Sequence, residues 1–293
     1  MKKSPGYYLL LAVTWPMQLL PLGFHYIVAD FLYFLVYCVF GYRKAVVAEN
    51  LRNSFPEKSS EELKLIEKQF YHGFADMFIE TLYTTHINVE KQKYRLEVVN
   101  FKPVQDLLDN GQNVLMVGGH VGNWEFMRLF HERIDSNKYF VYKKINNKTF
   151  DQFYQRLRGS AADPLEMKKV FRRLMGDVQN GQNFTAYFIS DQRPLKHEIK
   201  HWVNFMHQNT PVMLGTEKIA VKMKTAIFYM EISRIKRGYY RVSFELLFDD
   251  STKTKPFEIT DTFMHRLEQS IREYPSQYLW THKRWKFKRD EIS

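Results

Sequence analysis

The chain has almost no cysteine: Cys38 is the only one in 293 residues. A lone thiol excludes an intramolecular disulfide framework and any cage of thiolates around a metal, and it fits a reducing compartment. Acidic residues are in deficit, with 32 Asp and Glu against 43 Lys and Arg, a formal charge of +11 and a pI near 9.4. Such an excess suits a polyanionic partner: nucleic acid, an anionic membrane face, or a phosphorylated or acidic ligand. The sequence also lacks internal repeats, low-complexity tracts and Pro/Gly/Ser-rich linkers. What it has is apolar and aromatic. Apolar residues make up 45%, with 24 Phe, 18 Tyr and 5 Trp, which excludes wholesale disorder. The length allows one large domain or two small ones with a real core.

Formal charge is absent from Tyr7 to Phe24, and after His25 and Asp30 the apolar character resumes over Phe31–Tyr42. Lys2 and Lys3 precede this region, and Arg43 and Lys44 follow it. A helix crosses a bilayer core with about 20 apolar residues, so a span or an interfacial hairpin fits. Pro16, Pro21 and Gly23 favour a broken geometry, because each weakens a continuous helix. Tyr7, Tyr8, Trp15, Tyr33, Tyr37 and Tyr42 are of the types that gather at headgroup level. No small-residue cleavage site follows the first apolar run, which argues against a removed signal peptide. Residues 1–43 therefore read as a retained membrane anchor. Basic residues on both flanks leave its topology open between one crossing and a re-entrant hairpin.

Residues 44–293 read as one alternating α/β body. Helices are expected at Lys44–Ser54, Ser59–His86, Pro103–Asp109, from an Asn123 N-cap to about Ile134, and at Thr149–Arg158, Leu165–Asn180, Thr216–Lys222 and Ile259–Tyr274. The second opens on a capping box, Ser59-Ser60-Glu61-Glu62. Strands are expected at Asn113–Val117, Tyr139–Tyr142, Phe184–Ile189, Ala226–Ser233 and Tyr239–Leu247. This alternation implies a mostly parallel central sheet flanked by helices. Sites in such sheets lie beyond the carboxyl ends of the strands, which directs attention to the residues after Val117 and Ile189.

The first candidate is Gly118-Gly119-His120-Val121-Gly122-Asn123-Trp124-Glu125. The glycines let the backbone turn and let a substrate approach closely. A carboxylate near an imidazole fixes its tautomer and raises its basicity, as in acyl-transfer catalysis. No serine or cysteine in this loop offers a nucleophile, so the base would act on a hydroxyl or amine brought by the substrate. A structural or metal-binding histidine is the alternative. The second candidate is Ser190-Asp191-Gln192-Arg193-Pro194, which the same topological rule places near His120; these are also ordinary turn residues. The third is Arg156-Leu157-Arg158, where helical spacing lets at most one arginine face the site and guanidinium suits phosphate. The fourth is the tail from Trp280 to Arg289, where basic residues interleave with aromatics. An anionic membrane face or a nucleic acid would suit that pattern, and the anchor favours the membrane. His72, His86, His131, His197, His201 and His207 show no trustworthy ligand spacing, and no metal is expected.

Taken together, these residues resemble the lipid A late (secondary) acyltransferases of the lysophospholipid acyltransferase superfamily. Four signatures carry the resemblance: Tyr42-Arg43-Lys44 with Glu49-Asn50-Leu51-Arg52-Asn53-Ser54-Phe55-Pro56-Glu57; His120 with Glu125 as H-x4-E; Arg156-Leu157-Arg158 with Ser190-Asp191-Gln192; and Pro275-Ser276-Gln277-Tyr278-Leu279-Trp280 with His282-Lys283-Arg284-Trp285-Lys286. The resemblance implies a glycerol-3-phosphate acyltransferase-like fold in the bacterial inner membrane, with the active site toward the cytoplasm. It implies transfer of a fatty acyl chain from acyl carrier protein to a hydroxyl of a lipid A precursor, with no cofactor and no nucleic acid. His120 would be the general base and Glu125 its orienting partner. Arg158, Asp191, Asn123, Arg156 and Gln192 would contact substrate or organise the site. One departure stands out: Arg193-Pro194 directly follows Gln192, where better-known members carry an acidic residue, an aromatic and a Gly-Pro turn. Another acceptor, such as an amino-acid lipid or a different glycolipid, is the near alternative. A basic nucleic-acid-binding protein and a metal hydrolase using His120 and Asp191 are the distant ones.

Overall fold

The computed structural model describes residues 3–86, 90–130, 134–159 and 162–291. Lys2 and His131 lie outside them, as do residues 131–133 of the helix expected after Asn123. Four helices precede the sheet: α1 (Pro5–Thr14), α2 (Leu22–Tyr33), α3 (Lys44–Ser54) and α4 (Ser60–Thr84). The expected break is present, as a 3-10 turn over Trp15–Leu19 with Pro16 in its first turn. Gly23 does not contribute to it and sits inside α2. A π-helical turn, Phe34–Val39, continues α2. Among the described residues, the stretch long and apolar enough to cross a membrane is therefore Leu22–Val39, 18 residues, rather than the uncharged run from Tyr7. Only 17% of it is buried in the protein. Leu9, Val13, Ile27, Phe31, Phe34 and Phe40 all face outward, an unusual density of exposed apolar side chains. The inner side of α2 packs along α4. Helix α4 opens on the expected capping box: Glu62 N–H donates to Ser59 Oγ at 3.2 Å, and Ser59 N–H to Glu62 Oε2 at 2.8 Å.

The sheet holds β1 (Leu96–Val99), β2 (Val114–Gly118), β3 (Asn137–Tyr142), β4 (Asp163–Glu166), β5 (Phe184–Ile189), β8 (Ala226–Lys236) and β9 (Tyr239–Phe248). A separate hairpin joins β6 (Trp202–Phe205) to β7 (Gln208–Pro211). The order is β1-β9-β8-β2-β5-β3-β4, and every neighbouring pair is parallel except the β8–β9 hairpin. Helices α5 (Lys102–Asp109), α6 (Lys148–Gly159), α7 (Val170–Gln179), α8 (Gly215–Met223) and α9 (Glu258–Glu273) complete the fold. Both faces of the sheet are covered. Leu115 and Val117 of β2 join a core with residues of α3, α4, α7 and α9, while Val114 and Met116 join a second with α5 and the Phe126–Phe130 segment. A strand buried on both faces reads as the continuous apolar run that made β2 visible in the sequence.

Two expected helices are corrected. Asn123 begins no long helix: a 3-10 turn, Trp124–Leu129, follows it, and its side chain makes no capping bond. Leu165 and Glu166 belong to β4, which pairs with β3 at the sheet edge, so α7 starts only at Val170. Short strands such as β1, β4, β6 and β7 carry too few residues for a periodic signal.

The basic aromatic tail is corrected in part, because Trp280, Thr281 and Arg284 face inward. Trp280 and Arg284 are buried while Lys283, Lys286 and Lys288 are exposed. Asn50 of α3 donates its amide to the carbonyls of Trp280 at 2.8 Å and His282 at 3.1 Å. Trp280 meets Phe55 edge-on, and Trp285 Nε1 donates to Thr210 Oγ1 at 2.7 Å. The tail is a structural strap before it is a basic patch. Burial pushes the His282 imidazole down to about 4, with Arg284 also opposing its charge. The unfolded chain takes up this proton near 6.5 and the folded one near 4, so stability falls as pH drops through that window. Between pH 7.5 and pH 5 the wild type should lose about 2 kcal/mol more than His282→Gln. Denaturation of both proteins at the two pH values checks this, and equal losses would contradict it.

Candidate active site

Strands β2 and β5 pair in parallel with Gly118 opposite Ile189. Ser190 N–H donates to Gly118 O at 3.0 Å and extends the pairing by one rung. His120 and Asp191 are each two residues beyond those partners, so the register itself sets them face to face. The contact is double: His120 Nδ1 lies 2.6 Å from Asp191 Oδ1, and the His120 backbone N–H donates to Oδ2 at 3.1 Å. Asp191 is 2% exposed, while the His120 side chain keeps 15%. Burial pushes the Asp191 carboxyl up, but the His120 charge, the two His120 hydrogen bonds and the nearby Arg284 outweigh it, holding the group below the usual carboxylate range. An ionised Asp191 accepts the Nδ1 proton, which leaves Nε2 as the basic nitrogen. Among the described residues, that nitrogen meets only a long contact, 3.3 Å, from the Gln192 amide. The Trp124 ring stands edge-to-face against the imidazole at 4.7 Å.

The loop carrying His120 is held from its other side by the tail. Leu279 N–H donates to His120 O at 3.0 Å, Gly122 N–H to Gln277 O at 3.0 Å, and Val121 bridges Tyr278. Gly122 has φ +63°, and a Cβ there would lie 2.2 Å from Ile232 O of β8. This glycine admits protein backbone rather than substrate, and Gly119 makes room for the Leu267 side chain of α9, which a Cβ would strike.

The expected pairing of His120 with Glu125 is corrected. Glu125 takes a forked ion pair from Arg158 on α6, with Nη2–Oε1 at 2.5 Å and Nε–Oε2 at 3.2 Å. Five residues past the histidine, the chain has entered the 3-10 turn and points this carboxylate at α6. Asp191 makes the contact with the imidazole instead. The two arginines diverge, as their spacing requires: Arg156 reaches Tyr7 of α1 at 3.5 Å. Asn123 is fully buried and donates to Glu80 Oε2 at 2.9 Å, so it is not open to a ligand. Glu80 is a hub that no motif announced. It also accepts from Tyr26 of α2 at 2.8 Å and Tyr240 of β9 at 2.7 Å, with Arg95 at 3.8 Å. It links the apolar helix to the His120 loop.

His197 and His201 do not act together; His201 instead pairs with Asp261 at 2.7 Å. Among the described residues, Asp30, His72 and Asp76 come within ligating distance of one another. Both carboxylates are already engaged by Arg237, and Asp76 by Arg234 as well. Beside the His120 loop lies an apolar cleft lined by Phe70, Phe74 and Met77 of α4 with Trp124, Tyr240 and Leu279.

The site therefore offers an oriented, solvent-reachable imidazole, a fixed carboxylate–guanidinium pair and an apolar cleft, and among the described residues no serine, threonine or cysteine side chain contacts that imidazole. No curated protein matches this chain. The family model of the bacterial lipid A biosynthesis acyltransferases matches residues 2–287, nearly the whole chain. This protein belongs to the bacterial lipid A biosynthesis acyltransferases and is an acyltransferase.

Proposed function

We propose that the protein transfers a fatty acyl chain from acyl carrier protein to a hydroxyl of a lipid A precursor, with His120 as general base. The observation that carries this reading is the His120–Asp191 contact at the rim of the sheet, with Nε2 turned toward the only weakly held Gln192 amide. The acceptor hydroxyl displaces that amide and donates to Nε2. The alkoxide attacks the thioester carbonyl, a tetrahedral oxyanion forms, and the thiolate leaves with the proton returned from His120. Asp191 stabilises the imidazolium during the step without taking the proton itself. The Glu125–Arg158 pair stands at the rim as a substrate contact, Arg158 being the arginine that turns inward. The apolar side chains by Trp124, Phe70, Phe74 and Met77 among them, line the approach of an acyl chain to His120.

The N-terminal helices support a membrane location, with residues 1–43 as the anchor. The exposed apolar side of α1 and α2 is suited to lipid rather than water. We place the protein at the bacterial inner membrane with the site on the cytoplasmic side, where acyl carrier protein is available. That carrier is acidic, and the +11 charge of the enzyme favours the encounter. The exposed Lys283, Lys286 and Lys288 of the tail are part of that charge.

His120→Ala should lower turnover by at least ~100-fold, and Asp191→Asn by a similar factor, both without loss of the fold. Acyl transfer by purified variants, with melting curves alongside, measures this; near-normal turnover in His120→Ala removes the mechanism. A chain beginning at Arg43 should lose membrane association, and because Tyr26 then no longer reaches Glu80, activity should fall with it. Sedimentation with vesicles reads the first effect, and a truncated protein that stays monodisperse and fully active without detergent would contradict the anchor. Lipid mass spectrometry of cells with and without the gene should show one glycolipid species lighter by a single acyl group. An unchanged lipid A profile, with the loss falling on an amino-acid lipid, would transfer the same chemistry to that acceptor.

A further inference from the structure

A polar crevice opens next to the apolar cleft, between α4 and the β8–β9 turn. His72 and Asp76 of α4 line one side, and Arg234, Lys236 and Arg237 the other. The two cavities share Arg234, Ser276 and Gln277 as a common wall. One side of that wall is apolar and lies against the His120 loop; the other is cationic.

Arg234 is placed with care at this junction. Strand β8 shifts register between Arg234 and Lys236, a bulge that re-aims side chains. Gln277 clamps the Arg234 backbone, accepting its N–H at 2.6 Å and donating to its carbonyl at 3.3 Å, while its own backbone holds Gly122. The guanidinium lies against α4 at Gly73, where an added Cβ would stand 3.1 Å from Nη1 and 3.3 Å from Nη2. Glycine within a long helix costs about 1 kcal/mol relative to alanine, and here it makes room for the arginine. Nη1 donates to the buried Asp76 at 3.3 Å. Among the described residues, Nε and Nη2 of Arg234 have no partner, and the side chain is 22% exposed.

The charge of the crevice favours an anion. Asp76 is 1% exposed and is clamped by both Arg234 and Arg237, and Asp30 is paired with Arg237. Three cations thus face two carboxylates, both already neutralised, and among the described residues Lys236 meets only the face of Tyr239. Arg237 also donates to the Tyr26 carbonyl of α2, so the crevice abuts the helix that carries the exposed apolar side chains.

We propose that this crevice binds the phosphate headgroup of the lipid acceptor, with two donors of Arg234 on the phosphate and an acyl chain of the same molecule in the apolar cleft beside His120. Guanidinium suits this role because its parallel N–H groups match two phosphate oxygens. The assignment rests on the acyl-transfer reading and adds where that acceptor is held: its head and tail lie on either side of one arginine.

Binding is measured on the full chain carrying His120→Ala, in zwitterionic micelles, so that turnover plays no part. The probes are a fluorescent phosphatidic acid and the matching fluorescent diacylglycerol, which lacks the phosphate. Arg234→Gln should weaken phosphatidic acid binding at least tenfold and Lys236→Gln several-fold, with Lys222→Gln on α8 as an unaffected control. Diacylglycerol binding should be weak and equal in all. Lys236 is exposed, so its substitution does not threaten the fold even if Arg234→Gln fails to fold by releasing Asp76. Equal phosphatidic acid affinity in the wild-type crevice and in Lys236→Gln and folded Arg234 variants would overturn the site. Displacement by low-millimolar inorganic phosphate would overturn the lipid source. Acyl transfer by the protein with His120 intact is scored separately. Arg234-dependent binding without any transfer would count against the proposed function and uphold the site, while transfer with unaltered binding in the variants would do the reverse.

Discussion

The parallel pairing of β2 with β5 determines the separation of His120 and Asp191. Neither residue is in a strand, and neither loop is rigid by composition alone. What fixes them is the hydrogen-bonded ladder that ends at Gly118 and Ile189, two residues short of each. A buried carboxylate costs several kcal/mol in lost hydration, and at Asp191 that cost is offset by two hydrogen bonds from one residue and by the charge of Arg284. The imidazole is thereby held in one tautomer with its second nitrogen turned outward. The surrounding architecture serves to keep that contact in place: Gly122 lets the loop pass close to β8, and Gln277 and Leu279 fasten its outer edge.

The same logic explains what could be read from the sequence. NVLMV and FTAYFI are apolar on both faces, so β2 and β5 were legible, and with them the rule that a site lies past their ends. The histidine and Asp191 followed from that rule. Which carboxylate holds the imidazole did not follow. Glu125 is the nearer in sequence, and motif spacing favoured it, but a 3-10 turn rather than a helix follows Asn123 and aims Glu125 at Arg158. The choice depends on strand register, which is a tertiary property. Asn123 and Glu80 were opaque for a similar reason: a buried polar network is assembled from five separate segments, and no local pattern marks it. The tail misled in the other direction. Its alternation of charge and aromatic reads as a surface, yet Trp280 and Arg284 point inward and close the core over Asn50.

Glu80 and Gln277 give the molecule a mechanical continuity that a division into anchor and catalytic body does not convey. Tyr26 on the apolar helix and Asn123 beside His120 share one carboxylate. Gln277 joins Gly122 to Arg234 through its backbone and side chain. The base, the apolar cleft and the basic crevice are therefore set against one another and against α2 by a few hydrogen bonds. These bonds fix the position of the His120 loop relative to the exposed apolar side of α2.

The central claim concerns the orientation of a single ring, and the most direct measurement is the tautomer of the neutral His120 imidazole, read from ¹⁵N shifts in histidine-labelled protein. The account requires the Nδ1–H form in the wild type and in Glu125→Gln, and loss of that preference in Asp191→Ala. A tautomer that ignores Asp191→Ala, or that changes on Glu125→Gln, would contradict it.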